Sequence, residues 1–151
     1  MSNLKNLFEP GSRNEVLERL EKVTPESKAS FGKMSIDQML WHVNRTMSYA
    51  MGEYSIPLRD SFINRLIFKP LVLGKAPFPK GKAATIPEFK AEGHYDMETE
   101  KKRFREYIDR YSKSTEKADW PASPLLGKFT GANWARLDYK HIDHHFKQFG
   151  A

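Results

Sequence analysis

The chain has 151 residues, a mass of 17.5 kDa and a net charge of +6, a length that suits one domain over residues 1–151 with a core needing no staples. It has no cysteine, which excludes disulfides and thiolate–metal sites and fits a reducing compartment. Neither a secretory leader nor a bilayer-spanning stretch is read, since the most apolar window, "LIFKPLVLG", is broken by Lys69 and Pro70; the expectation is a cytoplasmic protein with no membrane partner.

Helical spacing dominates from the first element onward. Ser12 followed by Glu15 reads as a capping box, and Val16, Leu17, Leu20 and Val23 form one apolar stripe that ends before Pro25. Ser35 with Gln38 opens a second helix. Met39, Leu40, Val43, Met47, Ala50 and Met51 recur at three and four residues, and Gly52 ends the run. His42 stands beside that stripe, one turn after Gln38 and one turn before Thr46.

A shorter helix is expected from about Asp60 to Phe68, with Phe62, Ile63, Leu66 and Ile67 on one side and Pro70 as its limit. From there to about Gly93 the prolines and glycines of "GKAPFPKGKAATIPEF" predict a long loop. The positive charge is concentrated between Arg59 and Lys82. Arg59, Arg65, Lys69, Lys75, Lys80 and Lys82 stand against Asp60 alone, a local excess of +5. Such a segment suits an anionic ligand, a membrane surface or nucleic acid, or simply a solvated loop.

The next helix begins near Asp96 or Thr99 and buries Phe104, Tyr107, Ile108 and Tyr111, with Lys101, Lys102, Arg103 and Arg105 on its wet side. "DWPASPLLGKF" is a second loop, and the last helix runs from Thr130 to about Phe149. No stretch alternates in the manner of a strand. The expected fold is all-α, a four-helix bundle with long connecting loops.

The last helix carries "HIDHHFKQFG", three of the chain's five histidines. At about 100° per residue Trp134, His141 and His145 fall in a narrow sector, with Leu137, His144 and Gln148 on one flank and Asp138 on the other. Tyr139, Ile142, Phe146 and Phe149 form a second apolar sector. Imidazoles four residues apart can share a metal. His42, on another amphipathic helix facing the same core, adds a third nitrogen. Three protein nitrogens leave a position for water or substrate, the pattern of a reactive metal. The other reading is that His42, His141 and His145 are core histidines satisfied by Gln38, Asp138 or Gln148. His144 supports a ligating ring from behind, carries protons or is a boundary residue, and Asp138 and Gln148 are candidates to orient the ligating rings. His94 carries no comparable signal.

Over most of its length past residue 30 the sequence resembles the DinB-like superfamily of four-helix-bundle proteins, in particular an uncharacterised branch of it. The resemblance lies in "SIDQMLWHVNRTMSYAMG" (35–52), "FPKGKAATIPEF" (78–89) and "SPLLGKFTGANWARLDYKHIDHHFKQFG" (123–150), in that order. It implies a divalent metal held by one histidine of an early helix and two of a late one, here His42, His141 and His145; imidazole ligands suit zinc, nickel or iron. Characterised relatives include transferases and isomerases that use a low-molecular-weight thiol, bound to the metal as a thiolate nucleophile. Relatives in this branch often read His-Pro and a short apolar-Phe-Gly run where this chain has Ser123-Pro124-Leu125-Leu126-Gly127.

The leading expectation is thus a metal-dependent enzyme, a transferase, isomerase or hydrolase acting on a small molecule or thiol, with His144 moving protons. A non-catalytic metal- or ligand-binding bundle of the stress response is the alternative. A nucleic-acid or membrane module using the 59–82 charge with Phe62, Leu66 and Phe68 ranks third, because the aromatics read as buried. No nucleic-acid partner is expected, and a homodimer is an open option.

Overall fold

A computed structural model describes residues 4–80, 86–114 and 119–151 of the chain. Helix α1 spans Pro10–Leu20, α2 Ile36–Ala50, α3 Lys69–Leu73, α4 Met97–Lys113 and α5 Gly131–Gln148. A π-helical stretch, Asn64–Phe68, leads into α3, and a 3-10 turn occupies Pro87–Phe89. Among the described residues no strand forms, and a single bridge joins Ser123 to Gly127. No helix among them is long and apolar enough to cross a membrane.

Helix α1 starts before Ser12. Glu9 is its N-cap and Pro10 its first residue, where the ring presets φ and the missing N–H needs no acceptor. Ser12 is buried inside the helix instead of capping it. Helix α2 begins as its sequence predicts. Ser35 is the N-cap, and Gln38 Oε1 accepts the Ser35 N–H at 3.1 Å. Met39, Leu40, Val43 and Met47 are fully buried. The caps of α4 and α5 are Asp96, which accepts the Thr99 N–H at 2.9 Å, and Thr130, which exchanges bonds with Asn133.

Helix α2 packs on α4 and α5, and α1 packs on the same two. Between them lies the main core, with Val16, Leu20, Phe104, Ile108, Ile142 and Phe146 at or near zero exposure. Each such side chain contributes about 1.5–3 kcal/mol through burial. Phe104 and Phe146 stack at 5.5 Å across α4 and α5. A second apolar cluster joins Tyr49 and Ala50 of α2 to Trp134 of α5 under Ile56, Ile86, Leu126 and Phe129. Lys101 lies on the inner side of α4, not the wet side. It is buried, and its ammonium donates to the Val23 carbonyl at 2.8 Å.

The segment around residues 62–73 departs furthest from its sequence pattern. Pro70 does not end a helix; it sits in the first turn of α3. A proline there cannot donate to the Leu66 carbonyl, and the turn before it widens, so that the Lys69 N–H bonds the Asn64 carbonyl five residues back. The apolar residues read as sharing one side of this helix face outward. Phe62 is 68% exposed, Leu66 61% and Ile67 55%.

Candidate metal centre

His42 projects from the middle of α2, and His141 and His145 from successive turns of α5. The burial of Met39 and Val43 fixes the rotation of α2, and that of Trp134, Ile142 and Phe146 fixes α5. Both rotations turn their histidines toward the seam between the helices. His42 Nε2 lies 2.8 Å from His141 Nε2, and His145 Nε2 lies 3.1 Å from the same atom. One ligand atom from each ring can be chosen so that all lie within 4.8 Å of one another.

Each ring is held from behind. His42 Nδ1 is 2.7 Å from the Phe89 carbonyl, and His145 Nδ1 is 2.7 Å from Gln148 Oε1. The Gln148 amide nitrogen in turn donates to the Phe31 carbonyl at 2.7 Å, which orients its oxygen toward His145. His141 Nδ1 is 3.3 Å from Thr46 Oγ1, whose own hydrogen goes to the Val43 carbonyl at 2.8 Å. A carbonyl oxygen only accepts, so this network assigns the Nδ1–H tautomer to His42 and His145, and the spent Thr46 hydrogen favours it for His141. Three Nε2 lone pairs then converge with no hydrogen between them. Such an arrangement is repulsive by itself and is relieved by a cation.

The electrostatics agree in direction. Burial holds His42 below the ordinary histidine value, partly offset by its bond to Phe89. Burial holds His141 well below it, reinforced by the neighbouring His145 and His42. His145 is pushed down to about 3, again mainly by burial, then by His42. Neutral imidazole is the form that ligates a metal. Two bonds of about 2.0–2.1 Å to one tetrahedral ion would put the nitrogens about 3.3 Å apart, close to the observed spacings. As whole residues His42 and His145 are buried and His141 is intermediate, while burial dominates the electrostatics of all three rings. Two surface clefts, of about 650 and 630 Å³, flank α1 and touch none of the three histidines.

His144 is not among the converging nitrogens. Its half-buried ring lies beside Phe31 and Phe78, with centroids at 5.4 and 5.6 Å, and 5.0 Å from the ring of His145. Of the proposed orienting groups, Gln148 reaches one of the three rings, that of His145. Asp138 instead accepts from the Tyr111 hydroxyl inside the main core, and Gln38 bonds the Ser35 N–H and the Gly93 carbonyl. His94 is exposed beside Asp37. Ser123 is buried, and its hydroxyl oxygen accepts the Leu126 N–H within the turn before α5.

The basic segment is less free than its composition suggests. Arg59 pairs with Glu88 at 2.9 Å and Arg65 with Asp60. Lys69 donates to the Lys128 carbonyl at 2.6 Å, and Lys80 stands over the Phe31 ring. Lys82 lies outside the described residues.

Supports that sequence spacing does not reveal are main-chain carbonyls, Phe31 and Phe89, and a glycine. Gly32 has φ +79°, and a Cβ there would stand 2.6 Å from the Gln148 amide nitrogen. A glycine just before the helix carrying His42 was the only available signal.

No curated protein and no solved structure matches the chain. A family model does, over residues 3–151, and it is described as a protein of unknown function, DUF1569. The match takes in nearly the whole sequence, both histidine-bearing helices included, and the chain belongs to the DUF1569 family.

Proposed function

We propose that this chain is a DinB-like four-helix-bundle protein that holds one divalent ion, zinc, nickel or iron, with His42, His141 and His145, and acts on a small thiol or its electrophilic partner. The observation that carries this reading is the convergence of three Nε2 atoms whose opposite ring nitrogens are engaged by Phe89, Gln148 and Thr46. The alternation of α1 and α2 with α4 and α5 around the core supports the bundle. The lack of cysteine fits a reducing compartment, and with it a cytoplasmic location.

A bound divalent ion supplies Lewis acidity, lowering the pKa of a coordinated water or thiol. The chain's own residues supply the rest. The Nδ1 bonds fix the tilt of the His42 and His145 rings. Burial keeps all three imidazoles neutral. His144, beside Phe31 and Phe78, is the group placed to move a proton next to the ligand set.

Elemental analysis of untagged protein, joined to a turnover screen over thiol–electrophile pairs, tests this. About one zinc, nickel or iron per chain is expected, with turnover that chelation abolishes. Metal without turnover on any pair favours the alternative, a metal-binding bundle that does no chemistry. Protein that takes up no metal refutes both.

A further inference from the structure

Phe62, Ile63, Leu66, Ile67 and Leu71 recur at the spacing of one broad helical face, and each is at least 55% exposed. They sit on the helical segment 62–73. A helix apolar on its solvent side is ordinarily covered. At roughly 200 Å² for a fully exposed large apolar residue, these five present on the order of 600 Å², the upper end of what monomers expose. Phe68 of the same segment, 47% exposed, and Leu58 just before it, 57% exposed, bring the total toward the ~800 Å² per partner of a standard interface.

We propose that this face docks a second copy of the chain, making a twofold dimer in which the two 62–73 segments pack against one another. The rim decides between a second copy and a lipid surface. An interfacial helix relies on unpaired cations to meet anionic headgroups. Here Arg59 is paired with Glu88 and Arg65 with Asp60, and the Lys69 ammonium is bonded to the Lys128 carbonyl. A rim whose two arginines are each paired with a carboxylate, around an apolar centre, suits a protein interface, in which like charges must not face each other.

The face is also presented rigidly. Val72 and Leu73 pack against the second apolar cluster. Lys140 donates to the carbonyls of Leu71, Val72 and Gly74, and Arg136 to those of Leu73 and Gly74. Two cations of α5 thus cap the C-terminal end of the segment. The outward residues are not part of what holds it down, so charging them should leave the fold intact.

Sedimentation equilibrium of untagged protein at micromolar concentration reads the mass directly. The expected value is twice 17.5 kDa. The double substitution Ile63→Glu with Leu66→Glu would bury unpaired carboxylates at the twofold, weakening association at least ~100-fold. It is expected to give 17.5 kDa with unchanged circular dichroism and metal content. Lys102→Glu, on the exposed side of α4, should leave the dimer as it is. A monomeric wild type, or a doubly charged variant that keeps the doubled mass, would overturn the proposal. So would flotation of monomeric wild type with phosphatidylserine vesicles, which would assign the face to lipid.

Discussion

The carboxamide of Gln148 ties His145 to the loop before α2. Its oxygen faces His145 Nδ1 at 2.7 Å, and its nitrogen donates to the Phe31 carbonyl at 2.7 Å. Residues more than a hundred positions apart thereby set the angle of one ring. The link passes through Gly32, where any side chain would collide with the Gln148 nitrogen.

Gly32→Ala therefore has two costs, a left-handed backbone and a displaced Gln148. Gly52 has a similar φ, +78°, but a Cβ there meets nothing within 4 Å. Both alanine variants are expected to lose about 1–2 kcal/mol of stability from the backbone. Gly32→Ala, like Gln148→Ala, should in addition weaken metal affinity about 10- to 100-fold, the usual effect of losing a partner behind a ligand. Competition titration with a chelator measures it, and equal affinities for Gly32→Ala and Gly52→Ala would remove Gln148 from the site.

His42→Ala and His145→Ala should each lower metal content sharply, because two imidazoles hold a divalent ion far less well than three. His94→Ala, on the exposed ring beside Asp37, should not. Circular dichroism of all three checks the comparison. Equal metal loss from the three would mean that misfolding, not ligation, was being read.

Acid should destabilise the metal-free protein steeply. The folded-state values of His42, His141 and His145 are all depressed, that of His145 to about 3, while an unfolded histidine titrates near 6.5. Below about pH 6.5 the unfolded chain binds more protons than the folded one. The stabilising contribution is complete above that pH and drains as pH falls toward 3. Each ring contributes up to about 1.4 kcal/mol per pH unit. Urea unfolding of the metal-free chain should show this slope, reduced by about one proton in His145→Asn; an identical slope in the variant would contradict it.

Asp138 runs the other way. Burial pushes its carboxyl up to about 7, although the Tyr111 hydroxyl that donates to it favours the charged form. A raised folded value means a contribution present below the unfolded value of about 3.9 and lost as pH rises through 7. Asp138→Asn keeps an acceptor for Tyr111 and removes the charge. Its stability relative to wild type should improve by about 1–3 kcal/mol between pH 5 and 8. A relative stability that falls over that range would show the carboxylate to be better solvated than its burial indicates.

Much of the fold could be read along the chain because it depends on local chemistry. Ser35 with Gln38, and Thr130 as a cap, mark helix starts through bonds spanning three residues. The stripe through Met39, Val43 and Met47 determines which side of α2 is buried, and that side carries His42 next to it. The i, i+4 spacing places His141 and His145 on one side of α5. Ser12 misled because Pro10 competes for the same helix start and supplies a preset φ.

The sequence alone determined an all-helical chain and three candidate ligands, since periodicity dictates which residues share a helix face. Only the tertiary structure decided that those nitrogens meet, that Phe31, Phe89 and Thr46 stand behind them, and that Asp138 serves Tyr111 and not a ligand ring. It also decided that Phe62, Ile63, Leu66, Ile67 and Leu71 face out while Val72 and Leu73 pack inward. The physical reason is the same throughout. A helix face is a one-dimensional property of spacing, whereas a carbonyl partner, a close glycine approach or an uncovered surface depends on which distant segment packs there, and main-chain atoms carry no signature in the sequence.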